Sequence, residues 1–272
     1  MAAGLQQAIG TVVRDYGARW VLGGWSLFTL ENILMSEYRT EIKRAWGGKG
    51  GPKAYQSLYS TLSAATLGST CFAYWTFARH STVLWPRPFV PSVRAMAFVW
   101  RAAGLVMLGQ LAPPINLAAA PVALGLYKPS GELAPPEWAA LGCPFDFSAY
   151  KDRGEVYGIN RVTRRPEIIG LGAIGIGGAL LASTAVEFCF FGIGPLVSFS
   201  LLALHSDRAQ RAGGELSPTK EAQTSAMPFL AILDGRQSWK AVCEEMVPAN
   251  AGAAVFIAFL YAIRPPWLRW VR

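Results

Sequence analysis

Predominantly apolar stretches punctuate the chain at 18–36, 58–77, 95–111, 167–183, 186–204 and 248–263. Each approaches the roughly 20 residues a helix needs to cross ~30 Å of hydrocarbon. Backbone polar groups find no partner in lipid, so the pattern predicts helices and not open strands. Ahead of the first stretch, Leu5, Ile9, Val12, Val13, Tyr16 and Trp20 recur at helical spacing. That spacing describes an amphipathic helix, lying either on the membrane surface or against a neighbouring chain. The expected fold is therefore all-α: a polytopic membrane helical bundle of about six transmembrane helices. Residues 1–17 form its amphipathic N-terminal segment and residues 18–272 its transmembrane domain.

The longest connection, 112–166, holds Pro113, Pro114, Pro121, Pro129, Pro135, Pro136 and Pro144, which forbids one continuous helix. Trp138, Phe145 and Phe147 make it read as a lid packed on the bundle. The run KGGPKA after the first apolar stretch reads as a flexible turn.

Composition agrees with a membrane class: 52% of residues are hydrophobic and only 15% charged. The net charge of +8 sits in short loops between apolar runs, with no basic helix, which excludes a nucleic-acid surface and favours lipid headgroups. Cys71, Cys143, Cys189 and Cys243 are dispersed and give no zinc or redox motif. The first 20 residues do not have the layout of a secretory signal. With six spans both termini share one face, and most of the 25 Lys and Arg fall on the other. By the positive-inside rule that second face looks toward cytoplasm, matrix or stroma.

The candidate chemistry is sparse. Gly170, Gly172 and Gly175 spell GxGxxG, but inside an apolar helix and not after a strand, so close helix packing explains them better than a dinucleotide. Ala173 with Gly177, and Gly178 with Ala182, are small-residue pairs of the same kind. His80 and His205 are the only histidines, and six spans place them at opposite membrane faces. Glu31 lies about a turn inside the first span, where an unpaired carboxylate is costly. Arg165 opens the fourth span on the same face, so an ion pair Glu31–Arg165 is expected, with protonation of Glu31 or contact with Asn32 as alternatives. Arg161 and Arg164, nearer water, are expected to hold lipid phosphate or loop carboxylates.

Three stretches carry a family likeness: AYQSLYSTLSAATL (54–67), GINRVTRRPEIIG (158–170), and SDRAQR (206–211) followed by TSAMPFLAILDGRQ (224–237). They resemble the NnrU proteins and their relatives, the plant and cyanobacterial 15-cis-zeta-carotene isomerases. The resemblance implies a multi-span bundle and, in the isomerase branch, a haem b whose ferrous iron assists rotation about a carotene double bond. The family histidines fall here on Arg165, Glu31, Gly178 and near Ser198 and Phe199, none of which ligates iron as imidazole does.

The resulting expectation is a family scaffold without haem or other cofactor, serving as an accessory subunit of a larger energy-transducing membrane complex. Its partners would be membrane lipids and other membrane-protein subunits, with no nucleic acid. Its place would be an organellar inner membrane, with mitochondrion favoured over plastid. The alternative is a haem-dependent carotenoid cis-trans isomerase, or another pigment-binding or small-molecule membrane enzyme.

Overall fold

The computed structural model describes residues 2–46, 51–84, 90–115, 156–214 and 216–262. Among them the chain is helical, with one isolated bridge between Val83 and Thr184. The helices are α1 (Ala2–Arg14), α2 (Tyr16–Glu37), α3 (Arg39–Ala45), α4 (Gly51–Phe77) and α5 (Pro91–Gly109). After a 3-10 turn at Gly158–Arg161 come α6 (Pro166–Ala179), α7 (Ala185–Ala212), α8 (Pro218–Gln223), α9 (Leu230–Leu233), α10 (Trp239–Glu245) and α11 (Pro248–Ala262). Most of the proline-rich connection, with Trp138, Phe145 and Phe147, lies outside the described residues, as do Lys49, Cys143 and the final RPPWLRWVR.

Six spans are not shown. Among the described residues two helices, α5 and α7, are long and apolar enough to cross a membrane, or three if the bent pair α10–α11 is one span. The fourth apolar stretch yields a helix of only 14 residues, because the chain leaves α6 at Leu180 and Thr184 caps the next helix through its bond from Glu187 N–H. Lengths of 22 and 27 residues make α2 and α4 long enough to span, but α4 is rich in hydroxyls that lower its hydropathy.

The long helices stand in a row in which α4 packs on α2, α2 on α7, α7 on α6, α6 on α5, and α5 on α11. Direction along the row follows from the end contacts, and α2 and α7 run parallel. The last turn of α2 meets α7 at Glu37 and His205, while the start of α7 bonds the segment beside Asp15, ahead of α2. One end of the bundle therefore gathers the segments 156–165 and 216–247, and the other gathers Asp15, the 78–84 loop and the 180–187 loop.

Asp15 separates α1 from α2 with extended backbone and caps α2 by accepting from Ala18 N–H at 2.9 Å. It also accepts from Thr82 N–H at 2.7 Å and the Ser81 hydroxyl at 3.1 Å, which ties the end of α4 to the head of α2. Of the amphipathic pattern, Val12 is buried in this chain's own core while Ile9, Val13, Tyr16 and Trp20 are exposed.

Two devices set the helix spacing. Between α5 and α6, backbone meets backbone: a Cβ on Gly170 would stand 2.9 Å from Gly104 O, and a Cβ on Gly104 would run into Gly170 O. In α7, Pro195 follows one π-turn at Cys189–Ile193, closed by Gly194 N–H to Cys189 O. Proline has no N–H to continue the ladder, and the wider turn accommodates it. Trp25 of α2 lies directly against Gly194, in an aromatic cluster with Phe28, Phe190 and Phe199.

The corner between α10 and α11 bends by 89°. The Gln110 side chain holds it to α5 like a strand partner, donating to Val247 O at 3.0 Å and accepting from Val247 N–H at 2.8 Å. Asn250, 2% exposed, donates to Gly109 O at 2.7 Å and accepts from Ile115 N–H at 2.7 Å, closing the open carbonyl end of α5.

Candidate functional site: an arginine–carboxylate knot

A dense polar cluster forms where 156–165 leads into α6. Its first half centres on Arg161, whose Nε donates to Glu245 Oε2 at 2.8 Å while Nη2 faces Oε1, a two-pronged pair. Nη1 donates to Gln237 Oε1 at 2.6 Å, and Glu245 Oε2 also accepts from Gly158 N–H. Gly158 has φ +55°, a conformation that favours glycine and turns its N–H onto the carboxylate.

Arg164 anchors the second half at 6% exposure, with Nε 3.0 Å from Asp207 Oδ1 of α7. Its Nη1 reaches Thr224 O at 3.4 Å, and its backbone N–H donates to Ser225 O at 2.8 Å. Thr163, fully buried, donates to Ala226 O at 2.9 Å, and Phe229 N–H donates to Val162 O at 2.8 Å. Phe229 holds φ +65°, the left-handed region a side chain rarely adopts. Arg236, paired with Asp234 at 2.6 Å, adds a bond to Thr224 O at 2.9 Å. Thus 158–165, 207 and 224–237, remote in sequence, close one structure over the ends of α5, α6 and α7.

The electrostatics follow from these contacts. Hydrogen bonding from Arg161 holds Glu245 below its ordinary carboxylate value, and the same bond raises Arg161. Burial lowers Arg164, with Asp207 opposing that shift.

The Arg161–Glu245 pair makes cap stability acid-sensitive. A carboxyl with a lowered folded pKa contributes stability that is fully present above its ordinary value of 4.5 and is lost as pH falls through the folded value. Thermal unfolding of the detergent-solubilised chain between about pH 5 and pH 3 should show a falling midpoint, and Arg161→Gln should flatten that decline. Parallel profiles for the two proteins would remove this pair from the account.

Arg161 and Arg164 face the chain's own acceptors. Their donors meet Glu245 at the end of α10, Gln237, and Asp207 of α7, so the carboxylates they face belong to helices and not to loops. The Glu31–Arg165 pair is not formed either. Both Glu31 oxygens accept from the Ser63 hydroxyl, at 3.1 and 3.2 Å, and Oε2 accepts from Asn32 Nδ2 at 2.8 Å. Arg165 donates to Ser206 O at 3.1 Å and stands 3.8 Å from Glu167. The reason is helix order: α2 packs on α4 and α7, α6 packs on α5 and α7, and α7 stands between them.

A haem held by two axial histidines does not fit the residues present. His80 adjoins the Ser81–Thr82 contact with Asp15 at the head of α2, whereas His205 Nε2 lies 3.9 Å from Glu37 at its foot. The 22 residues of α2 separate those points by about 33 Å. Among the described residues, His, Cys, Asp and Glu form no group of three suited to a metal. Gly178 lies against the Phe191 ring, where a Cβ would be 2.6 Å from Phe191 Cβ. Ser198, 2% exposed, stands in hydrogen-bond contact with the Thr29 hydroxyl at 2.7 Å. The GxGxxG glycines lie within α6, and Gly170 and Gly175 meet neighbouring helices there, which leaves the dinucleotide reading without support.

Asp207, Glu245, Gln237 and Asn250 were not singled out from the sequence. Asp207 and Gln237 do stand inside the stretches that carry the family likeness, and that was the available signal.

A row of apolar helices closed at one end by an arginine–carboxylate knot defines the class, a helical protein with membrane-type spans. The chain belongs to the NnrU family: the family described as NnrU protein matches residues 21–270. No curated protein and no solved structure matches the chain.

Proposed function

We propose that this chain is a non-catalytic NnrU-like membrane subunit, a structural or accessory component of a larger energy-transducing membrane complex, in an organellar inner membrane and most simply the mitochondrial one. One observation carries the reading: the positions where the isomerase branch of the family has imidazoles are closed by the chain's own groups. Glu31 is held by Ser63 and Asn32, Ser198 by Thr29, Arg165 by Ser206 O, and Gly178 by the Phe191 ring. Those contacts tie helices together and leave no pair of donors converging on one point.

The six-span arrangement belongs to the same proposal. Hydroxyls lower the hydropathy of α4, yet Thr66, Thr70 and Thr76 donate to carbonyls one turn back, at Leu62, Thr66 and Phe72. Thr29 of α2 does the same to Trp25. A hydroxyl satisfied within its own helix costs far less in lipid than its side-chain polarity implies.

Purification in mild detergent tests the function. The expected result is a chain that elutes with other membrane proteins and has no Soret absorption. Elution alone sinks the subunit reading. A Soret band abolished by His80→Ala or His205→Ala would establish the haem-dependent alternative instead.

A further inference from the structure

With Arg161, Arg164 and Arg236 occupied by carboxylates, the cations free to meet an outside anion at the knot end lie elsewhere. Helix α3 carries Lys43 and Arg44 just beyond the foot of α2. Tyr55 of α4 fixes it there: its hydroxyl donates to Met35 O at 2.8 Å, and its ring lies under Lys43 at 5.4 Å and Arg39 at 5.9 Å. Gly51 touches the Lys43 carbonyl, which brings the head of α4, and with it exposed Lys53, alongside. Arg208 belongs to the same neighbourhood, because His205, three residues earlier on α7, lies 3.9 Å from Glu37. Among the described residues Arg44, Lys53 and Arg208 have no carboxylate partner, and only Glu37 and Glu41 oppose this set locally. Tyr38, 54% exposed, and Trp46, 49% exposed, bracket α3.

We propose that α3, with Lys53 and Arg208, is a docking shelf for anionic phospholipid headgroups at the knot-end leaflet. The charge fits that occupant: cations in excess meet phosphate, while flanking Tyr and Trp sit at the boundary between headgroups and acyl chains. The cation–π contact with Tyr55 holds Lys43 in place before lipid arrives, so less side-chain freedom is lost on binding. This inference rests on the membrane reading above and adds to it a lipid class and the residues that select it.

The test reconstitutes the full chain into nanodiscs of phosphatidylcholine alone, or of phosphatidylcholine mixed with phosphatidylglycerol, and reads retained lipid by native mass spectrometry. Wild type should retain phosphatidylglycerol in preference to phosphatidylcholine, and added salt should weaken that preference. Each of Lys43→Gln, Arg44→Gln and Arg208→Gln should reduce it about fivefold, while Lys240→Gln, on exposed α10, leaves it unchanged. A wild type without preference, or a triple variant that retains phosphatidylglycerol as wild type does, overturns the proposal. Should the triple variant keep the lipid preference and lose only a copurifying protein, the shelf is a protein contact and the proposal falls. Failure to enter nanodiscs at all would instead sink the membrane reading, so the two failures are distinct. Tyr55→Ala provides a second variant with the charges intact, and it should weaken retention less than the triple variant does.

Discussion

Asp207→Ala is expected to destabilise the chain more than Arg164→Ala, although the two side chains face each other across one contact. Breaking a buried pair by removing one partner costs about 3–5 kcal/mol, because an uncompensated charge stays behind. The two orphans differ. Without Arg164, Asp207 keeps Arg211 at 3.0 Å, and Thr224 O keeps its bond from Arg236. Loss of Asp207 leaves Arg164, with its side chain 4% exposed, facing only long contacts to the carbonyls of Thr224 and Glu221. Arg164→Ala therefore belongs near the lower end of that range and Asp207→Ala near the upper. Replacing both with apolar residues of similar size, as in Arg164→Met with Asp207→Leu, should recover much of the loss. Unfolding of the four proteins in one detergent measures the order; equal and small losses for the two single variants would mean that this contact does not hold the cap.

What could be read in advance and what could not divides along physical lines. Helix positions were legible because an apolar run of membrane length has few other solutions, and α2, α5, α7 and α11 fall within a few residues of their stretches, save for the longer foot of α7. The fourth stretch was read too long because Leu180, Leu181 and Ala182 are apolar, although α6 ends at its C-cap Leu180 and the polar signal, Thr184, starts the next helix beyond them. Neighbour relations were not legible. Glu31 and Arg165 do belong to the same end of the bundle, but matching depth says nothing about which helix stands between, and here α7 does. The knot was hidden for a related reason. Arg161 finds Glu245, and Arg164 finds Asp207, across loops whose course no local pattern encodes.

The glycines of α5 and α6 provide the second large effect and a sharp internal control. Gly104→Leu should cost about 3 kcal/mol or more, at or above the top of the usual range for overpacking, because its Cβ would meet backbone and not a side chain that can swing aside. The obstacles are Gly170 O and, at 2.9 Å, Ile174 N, both fixed by the helix ladder of α6. Gly170→Leu meets Gly104 O at 2.9 Å and should fail in the same way. Only by moving α5 away from α6 could either be accommodated. That movement would also pull Gln110 from Val247 and the Gly109 carbonyl from Asn250 at the corner before α11. Gly172 is in the same helix and the same GxGxxG string, yet its Cβ would have Phe199 Cβ at 3.9 Å as its nearest contact, an ordinary van der Waals distance. Gly172→Ala should therefore be neutral or gain up to about 1 kcal/mol from helix propensity. A nucleotide-cradling loop would give a different ranking, since phosphate contact would depend on all three glycines and leave the Gly104 variant untouched. Unfolding midpoints for Gly104→Leu, Gly170→Leu and Gly172→Ala decide the matter: close packing orders the first two far below the third, and any other order removes the glycine seam as the contact that holds α5 and α6 together.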